Sequence, residues 1–255
     1  MRFQMTPSRT ITAVAAALLV AGAAPAFAEP IKNIVLVHGA FADGSGWKPV
    51  YDILTKDGYN VNIVQEPETS LEEDVAATVR VLDRQQGRSI LVGHSYGGAV
   101  ITQAGTDAHV AGLVYIAAHA PDDGESPSSN RARMPGATRA IVTTPDGFLF
   151  LDPAHFHEDF AADLPADVAE FMARSQMPAA VRAMTTPISN PAWRVKPSWY
   201  MVAKDDRTIN PDLERMYAAR AHSHTQEVPG SHSIFISHAR EVAAMIEDAA
   251  QTAGK

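Results

Sequence analysis

Cysteine is absent from this 255-residue chain. Its absence excludes structural disulfides, thiolate-ligated zinc or iron–sulfur centres, a cysteine nucleophile and a lipid-modified cysteine anchor. Basic residues are scarce, with 21 Lys and Arg against 29 Asp and Glu and a net charge of −8. Phosphate backbones are bound by clustered positive charge, so nucleic acid is not an expected partner. Aromatic residues make up 7% of the chain, and neither Gly (16) nor Pro (17) recurs with a period. Collagen-like, coiled-coil and multi-pass membrane architectures are excluded on that composition. What remains is apolar material, 46% of the chain, sufficient for one globular domain.

The longest stretch without charge, Thr10–Ala28, sits at the N-terminus. Arg2 and Arg9 precede an apolar run from Ile11 to Ala24, and Ala26-Phe27-Ala28 presents the small residues that signal peptidase reads. Residues 1–28 are expected to be a signal peptide cleaved before Glu29, leaving 29–255 as the mature domain in the periplasm or outside the cell. The uncharged stretch is rich in Ala and carries Pro25. A stable membrane anchor, which wants about 20 apolar residues, is therefore not expected.

Beyond residue 29, apolar runs alternate with helical patterns. Ile34–Val37, Val61–Val64, Ile90–Val92, Leu113–Ala117 and Trp199–Val202 read as strands, the first as one buried on both faces. Between them lie a short helix from Trp47 through Leu54, a helix opened by a Ser70-x-x-Glu73 capping box, and one from Ala99. A last helix runs from about His238 to Ala250. Strands separated by helices of this length predict a mostly parallel α/β sheet. From about 121 to 197 the pattern breaks into a segment rich in Pro, Ala, Met and Asp. It is read as a small helical cap, with Met134, Phe148, Phe150, Phe156, Phe160, Phe171 and Met177 as its apolar side chains.

Three places carry chemistry. Gly93-His94-Ser95-Tyr96-Gly97 follows a strand and opens a helix, the setting in which a sharp turn pushes a serine hydroxyl out at the sheet edge. His38-Gly39-Ala40-Phe41 follows the first strand. There the N–H of Ala40, favoured over Phe41, would join that of Tyr96 in holding an oxyanion. Gly230-Ser231-His232 precedes the last helix, and a serine hydroxyl needs such a histidine to take its proton. His94, beside the serine, is read as pointing elsewhere. His155, His157, His222 and His224 lack zincin spacing or matching ligands and are read as surface or cap histidines, with no metal site. The carboxylate that orients the imidazole is Asp205 or Asp206, with Asp122 or Asp123 as rivals.

With these residues the chain resembles the α/β-hydrolase superfamily, in the compact branch of plant methylesterases, hydroxynitrile lyases and bacterial carboxylesterases such as pyrethroid hydrolases. The resemblance rests on Val35–Ala40, Gly93–Gly98, Trp199–Ile209 and Pro229–His232 and covers nearly all of the mature chain. It implies an α/β-hydrolase fold and assigns the acid to Asp206, ahead of Arg207-Thr208-Ile209-Asn210-Pro211. The implied activity is cleavage of small to medium hydrophobic carboxylic esters, with no metal or organic cofactor. Phe41, Phe148 and Phe156 are the expected substrate contacts. The similar lyases carry Thr and Lys where this chain has Gly39 and Ser233, which weighs against cyanohydrin chemistry. A hydroxynitrile-lyase-like or other C–C lyase on the same scaffold and a binding module without activity are the alternatives, and no pattern specifies an oligomeric state.

Expression of the full chain in a bacterial host is expected to yield a mature protein whose N-terminus is Glu29, within a residue or two, by intact-mass analysis. Recovery of protein retaining Met1 from the exported fraction would refute the cleavage.

Overall fold

A computed structural model of the chain describes residues 1–4 and 31–254. The expected cleavage site lies outside the described residues. Among those described, no helix is long and apolar enough to cross a membrane.

From the N-terminal side, β1 (Asn33–Val37) leads to α1 (Lys48–Lys56) and β2 (Asn60–Val64). Then come α2 (Leu71–Leu82), β3 (Ser89–Ser95), α3 (Gly97–Ala104) and β4 (Val110–Ala118). The cap holds α4 (Pro127–Arg133), β5 (Ile141–Thr143), β6 (Phe148–Leu151), α5 (Pro153–Phe160), α6 (Ala166–Ser175), β7 (Ala179–Ala180) and α7 (Val181–Thr185). The chain returns through β8 (Ser198–Ala203), α8 (Pro211–Arg220), β9 (His224–Val228), α9 (Ile234–Ser237) and α10 (Ala239–Thr252).

Six strands form a parallel sheet in the order β2-β1-β3-β4-β8-β9. Side chains alternate along each strand, and both faces are apolar. Ile34, Leu36, Ile90, Val92, Val114 and Ile116 pack with Val50 and Leu54 of α1 and Val242 and Ile246 of α10. Val35, Val37, Leu91, Leu113 and Tyr115 pack on the opposite face with Leu82 of α2, Val100 and Ile101 of α3 and Tyr217 of α8. The unbroken apolar run of β1 is the price of being covered on both sides. The chain leaves β1 outward to β2 and comes back to β3 on its other side. The carboxyl ends of β1 and β3 therefore flank the switch point where open α/β sheets form a crevice.

Local signals behave as their chemistry requires, with two departures. Ser70 caps α2 by accepting the Glu73 N–H at 3.2 Å. The Glu73 carboxylate, however, takes the Thr69 hydroxyl instead of closing the box. The cap is also not all helix: β5 and β6 form an antiparallel hairpin, and β7 adds a third strand. Thr144–Gly147 makes its turn, with Gly147 at φ +87°, a conformation reached without a Cβ penalty only by glycine. Two β-branched or aromatic runs around Pro-Asp-Gly are a hairpin signal, masked here by the composition of the segment as a whole.

The start of α3 is pressed against β1. A Cβ on Gly97 would lie 2.3 Å from the His38 carbonyl oxygen and 2.8 Å from that of Val37. Because both neighbours are backbone of a buried strand end, Gly97→Ala is expected to cost about 1–3 kcal/mol by overpacking. The urea midpoint should fall with an unchanged m-value; an unchanged midpoint would show that this contact gives way.

Candidate active site

Ser95 ends β3 at φ +53°, in the left-handed region that costs a non-glycine residue about 1–3 kcal/mol. The strand register against β4 shifts between His94 and Ser95, and the Ser95 carbonyl accepts the His119 N–H at 3.0 Å. This bent turn aims the side chain away from the sheet. The Ser95 hydroxyl donates to Nε2 of His232 at 2.8 Å, and the His232 Nδ1–H donates to Oδ2 of Asp206 at 2.5 Å. The other Asp206 oxygen accepts the N–H groups of Thr208 at 2.6 Å and Ile209 at 2.8 Å. Both carboxylate oxygens are thus occupied, and the ring is left in the tautomer that presents a bare Nε2 to the serine.

Asp205 does not reach the imidazole. Its carboxylate accepts the Gly230 N–H at 3.0 Å, while its own N–H donates to the Gly230 carbonyl at 3.1 Å. Nor do the more distant rivals: Asp122 pairs with Arg194, and Asp123 accepts the Asn190 N–H. The His-Gly loop after β1 lies against the serine, since a Cβ on Gly39 would sit 2.4 Å from Cβ of Ser95. The Phe41 N–H is taken by the Met177 carbonyl at 3.2 Å. Those of Ala40 and Tyr96 have no acceptor among the described residues. Two unspent donors beside a serine–imidazole–carboxylate relay are what stabilisation of an oxyanion needs.

Residues 34–245 match the alpha/beta hydrolase family. The chain belongs to that family. It is 31% identical over 116 residues, 39% of this chain and 40% of the relative, to a pyrethroid hydrolase of Sphingobium wenxiniae. To a putative chloroplastic methylesterase, number 14 of Arabidopsis thaliana, it is 27% identical over 223 residues, 74% of this chain and 64% of the relative. The chain thus spans less than two thirds of the length of either relative. Among solved structures, the pyrethroid hydrolase of Sphingobium faniae JZ-2 superposes with a TM-score of 0.73 at 23% identity, over 87% of this chain and 98% of that one, a likeness of fold.

The three aromatic residues expected to contact substrate lie in different settings. Phe41, at φ +67°, lines a cavity of about 210 Å³ with Val168, Phe171, Met172 and Ile236. Phe148 lines a surface groove with Thr69, Asp146 and Arg182. Phe156 is fully buried and stacks on Phe160 at 4.8 Å. Phe160 is the ring that meets His232, edge-on at 4.8 Å. Helical spacing on α5 put both on one face, and only packing decided which of them touches the imidazole. His94 is likewise nearer the site than expected: its Nε2–H donates to the His232 carbonyl at 2.9 Å, with the rings 4.7 Å apart. Burial pushes the His94 ring well below the usual histidine range, so it stays neutral as that donor. Behind Asp206, Glu214 is fully buried and accepts the Ala203 N–H at 3.1 Å. Burial and the nearby Asp206 push its carboxyl well up, and it keeps its proton.

A second buried polar group lies beneath the two free donors. Asp74 of α2 accepts the Tyr96 hydroxyl at 2.7 Å and the Glu68 N–H at 2.8 Å. Nδ1 of His38 lies 3.8 Å from Glu66 and 3.4 Å from Glu68, both buried carboxyls without a hydrogen-bond partner. His38, Glu66 and Glu68 could approach one metal ion, but the histidine chemistry opposes it. Nε2 of His38 accepts the Glu66 N–H at 3.1 Å, so Nδ1 carries the proton, whereas a ligating ring donates through its other nitrogen. In the Asp83, Asp107 and His109 group, Oδ1 of Asp107 already accepts the backbone N–H and the ring Nδ1–H of His109.

Burial, in Glu66 opposed in part by His38, raises both glutamates well above the usual carboxylate range. In the folded state they keep protons that the unfolded chain releases. Their contribution to stability is present below the ordinary glutamate range and is lost as pH rises through the raised folded values. Thermal scans across pH should show stability falling on the alkaline side, and Glu68→Gln should flatten that fall and melt above wild type there. An unchanged slope in the variant would show that Glu68 is ionised in the fold.

Proposed function

We propose that this chain is an exported carboxylic-ester hydrolase working through an acyl-enzyme on Ser95. The observation that carries the reading is the unbroken relay from the Ser95 hydroxyl through His232 to Asp206, set beside the Ala40 and Tyr96 N–H groups, which have no acceptor among the described residues. Ser95 Oγ attacks the ester carbonyl carbon as its proton passes to Nε2 of His232. The Ala40 and Tyr96 N–H groups hold the resulting oxyanion. Collapse breaks the bond to the alcohol oxygen, which leaves with the proton from His232. Water then gives a proton to His232 and attacks the acyl group, and the acid departs as Ser95 regains its hydrogen. Asp206 orients the ring and stabilises its cationic form throughout.

The relatives named pyrethroid hydrolase and methylesterase support ester cleavage. The cavity lined by Phe41, Val168, Phe171 and Met172 adjoins the loop after β1, although neither Ser95 nor His232 lines it; its apolar walls suit an apolar group in the substrate, and the N-terminal run supports export. At the lyase positions stand Gly39 and Ser233, and the Ser233 hydroxyl donates to the Phe160 carbonyl at 2.9 Å.

The test is hydrolysis of p-nitrophenyl acetate, butyrate and octanoate by mature protein and by Ser95→Ala. Acid and alcohol should form, and the substitution should lower kcat by about 10³- to 10⁶-fold. Equal rates in the two proteins would overturn the assignment of the nucleophile. Aldehyde and cyanide released from a cyanohydrin in place of ester cleavage would overturn the reaction class.

A further inference from the structure

The loop that carries His232 hangs between two carboxylates, one from the sheet and one from the cap. On the sheet side, Asp205 holds Gly230 through both backbone groups. On the cap side, Asp163 follows α5 and lies 68 residues before Ser231 in sequence. Its carboxylate accepts the Ser231 N–H at 3.0 Å, the Ser231 hydroxyl, and the Ser237 hydroxyl at 2.8 Å. The Ser231 hydroxyl has one proton and two acceptors within reach, the Asp163 carboxylate and the Phe160 carbonyl at 3.1 Å, both of them in the cap, and it accepts the Ser233 N–H at 3.1 Å. The Ser233 hydroxyl then donates to the Phe160 carbonyl at 2.9 Å. Backbone on both sides of His232 is therefore tied to the cap segment from Phe160 to Asp163, whose Phe160 ring also stands edge-on against the imidazole.

We infer that Asp163 is a positioning residue for the proposed reaction: through Ser231 it sets the ring of His232 against Ser95, so the relay is aligned only while the cap is seated. The imidazole has a relay partner at each nitrogen, but its approach to Ser95 depends on where the backbone of residues 231–233 is held. A displacement of about 1 Å in such a group costs around 10²-fold in rate. The cap thereby supplies part of the catalytic geometry as well as a cover, and the Asp163–Ser231 hydrogen bonds are the joint.

This inference rests on the hydrolase reading, so the test carries a readout that does not depend on choosing the right ester. Mature wild type, Asp163→Ala, Asp163→Asn and Ser237→Ala are compared for p-nitrophenyl butyrate turnover, for the rate of Ser95 labelling by a fluorophosphonate, and for Tm. Asp163→Ala should lower kcat and the labelling rate together by about 10- to 100-fold, with KM within about threefold. Asp163→Asn should recover most of both, because its carboxamide oxygen can accept the Ser231 N–H while its amide donates to the Ser231 hydroxyl. Ser237→Ala, which loosens only the far contact, should lower Tm but leave kcat within about twofold. If Asp163→Ala does not fold, Ser231→Ala serves in its place, since it deletes the hydroxyl that joins the loop to the cap. Wild-type kcat and labelling rate in folded Asp163→Ala or Ser231→Ala, whatever the Tm, would overturn the inference. A wild type that neither turns over nor labels would overturn the hydrolase reading itself, a result distinguishable from any effect confined to the variants.

Discussion

Backbone contact between the end of β1 and the turn at Ser95 is the constraint from which the site follows. The His38 carbonyl occupies the space that a Cβ on Gly97 would need, and Gly39 lies equally close to Cβ of Ser95. Such approach is possible only with glycine at both places. It brings the loop after β1 against the turn that carries Ser95. The positive φ of Ser95 is a local cost that surrounding structure must offset. Here that structure is the buried parallel sheet, whose strand ends are packed on both faces and leave the turn nowhere to relax.

Around that contact, each loop at the carboxyl end of the sheet is held from two sides. Asp206 is fixed by backbone N–H groups of its own turn, while the next residue, Arg207, pairs with Asp159 of the cap at 2.8 Å. The His232 loop is held by Asp205 and Asp163. The loop after β1 receives a carbonyl from the cap residue Met177 at the Phe41 N–H, which leaves Ala40 as the free donor. The site is correspondingly closed, with Ser95 6% exposed and His232 fully buried. Electrostatic groups in such a place act at low dielectric, which strengthens a relay that is satisfied and penalises any polar atom without a partner.

Much of this was legible from residue types in order. The Gly-x-Ser-x-Gly turn, the His-Gly loop and the late histidine announce themselves because strained turns and close backbone approach tolerate few side chains. Strand and helix positions followed from periodicity, and five of the six sheet strands were marked by their apolar runs. The sixth, β9, reads His-Thr-Gln-Glu-Val and is mostly exposed, so hydrophobic pattern had little to mark there beyond Val228. The hairpin in the cap was missed because its turn signal lay inside a segment rich in other loop residues.

Sequence by itself determined the fold class, the strand order along the chain, and which serine and histidine could meet, because each depends on local conformation and on period. Residue types left Asp205 and Asp206 both open, the family resemblance pointed to Asp206, and the tertiary structure turns Asp206 to the imidazole while Asp205 binds Gly230, since adjacent residues in a turn diverge. The tertiary structure also decided that Phe160 rather than Phe156 meets His232, that His94 supports the histidine loop, and that Glu66, Glu68 and Asp74 are buried together below Tyr96. Those facts depend on contacts between residues distant in sequence, where burial and the need to satisfy each polar atom outweigh any local preference.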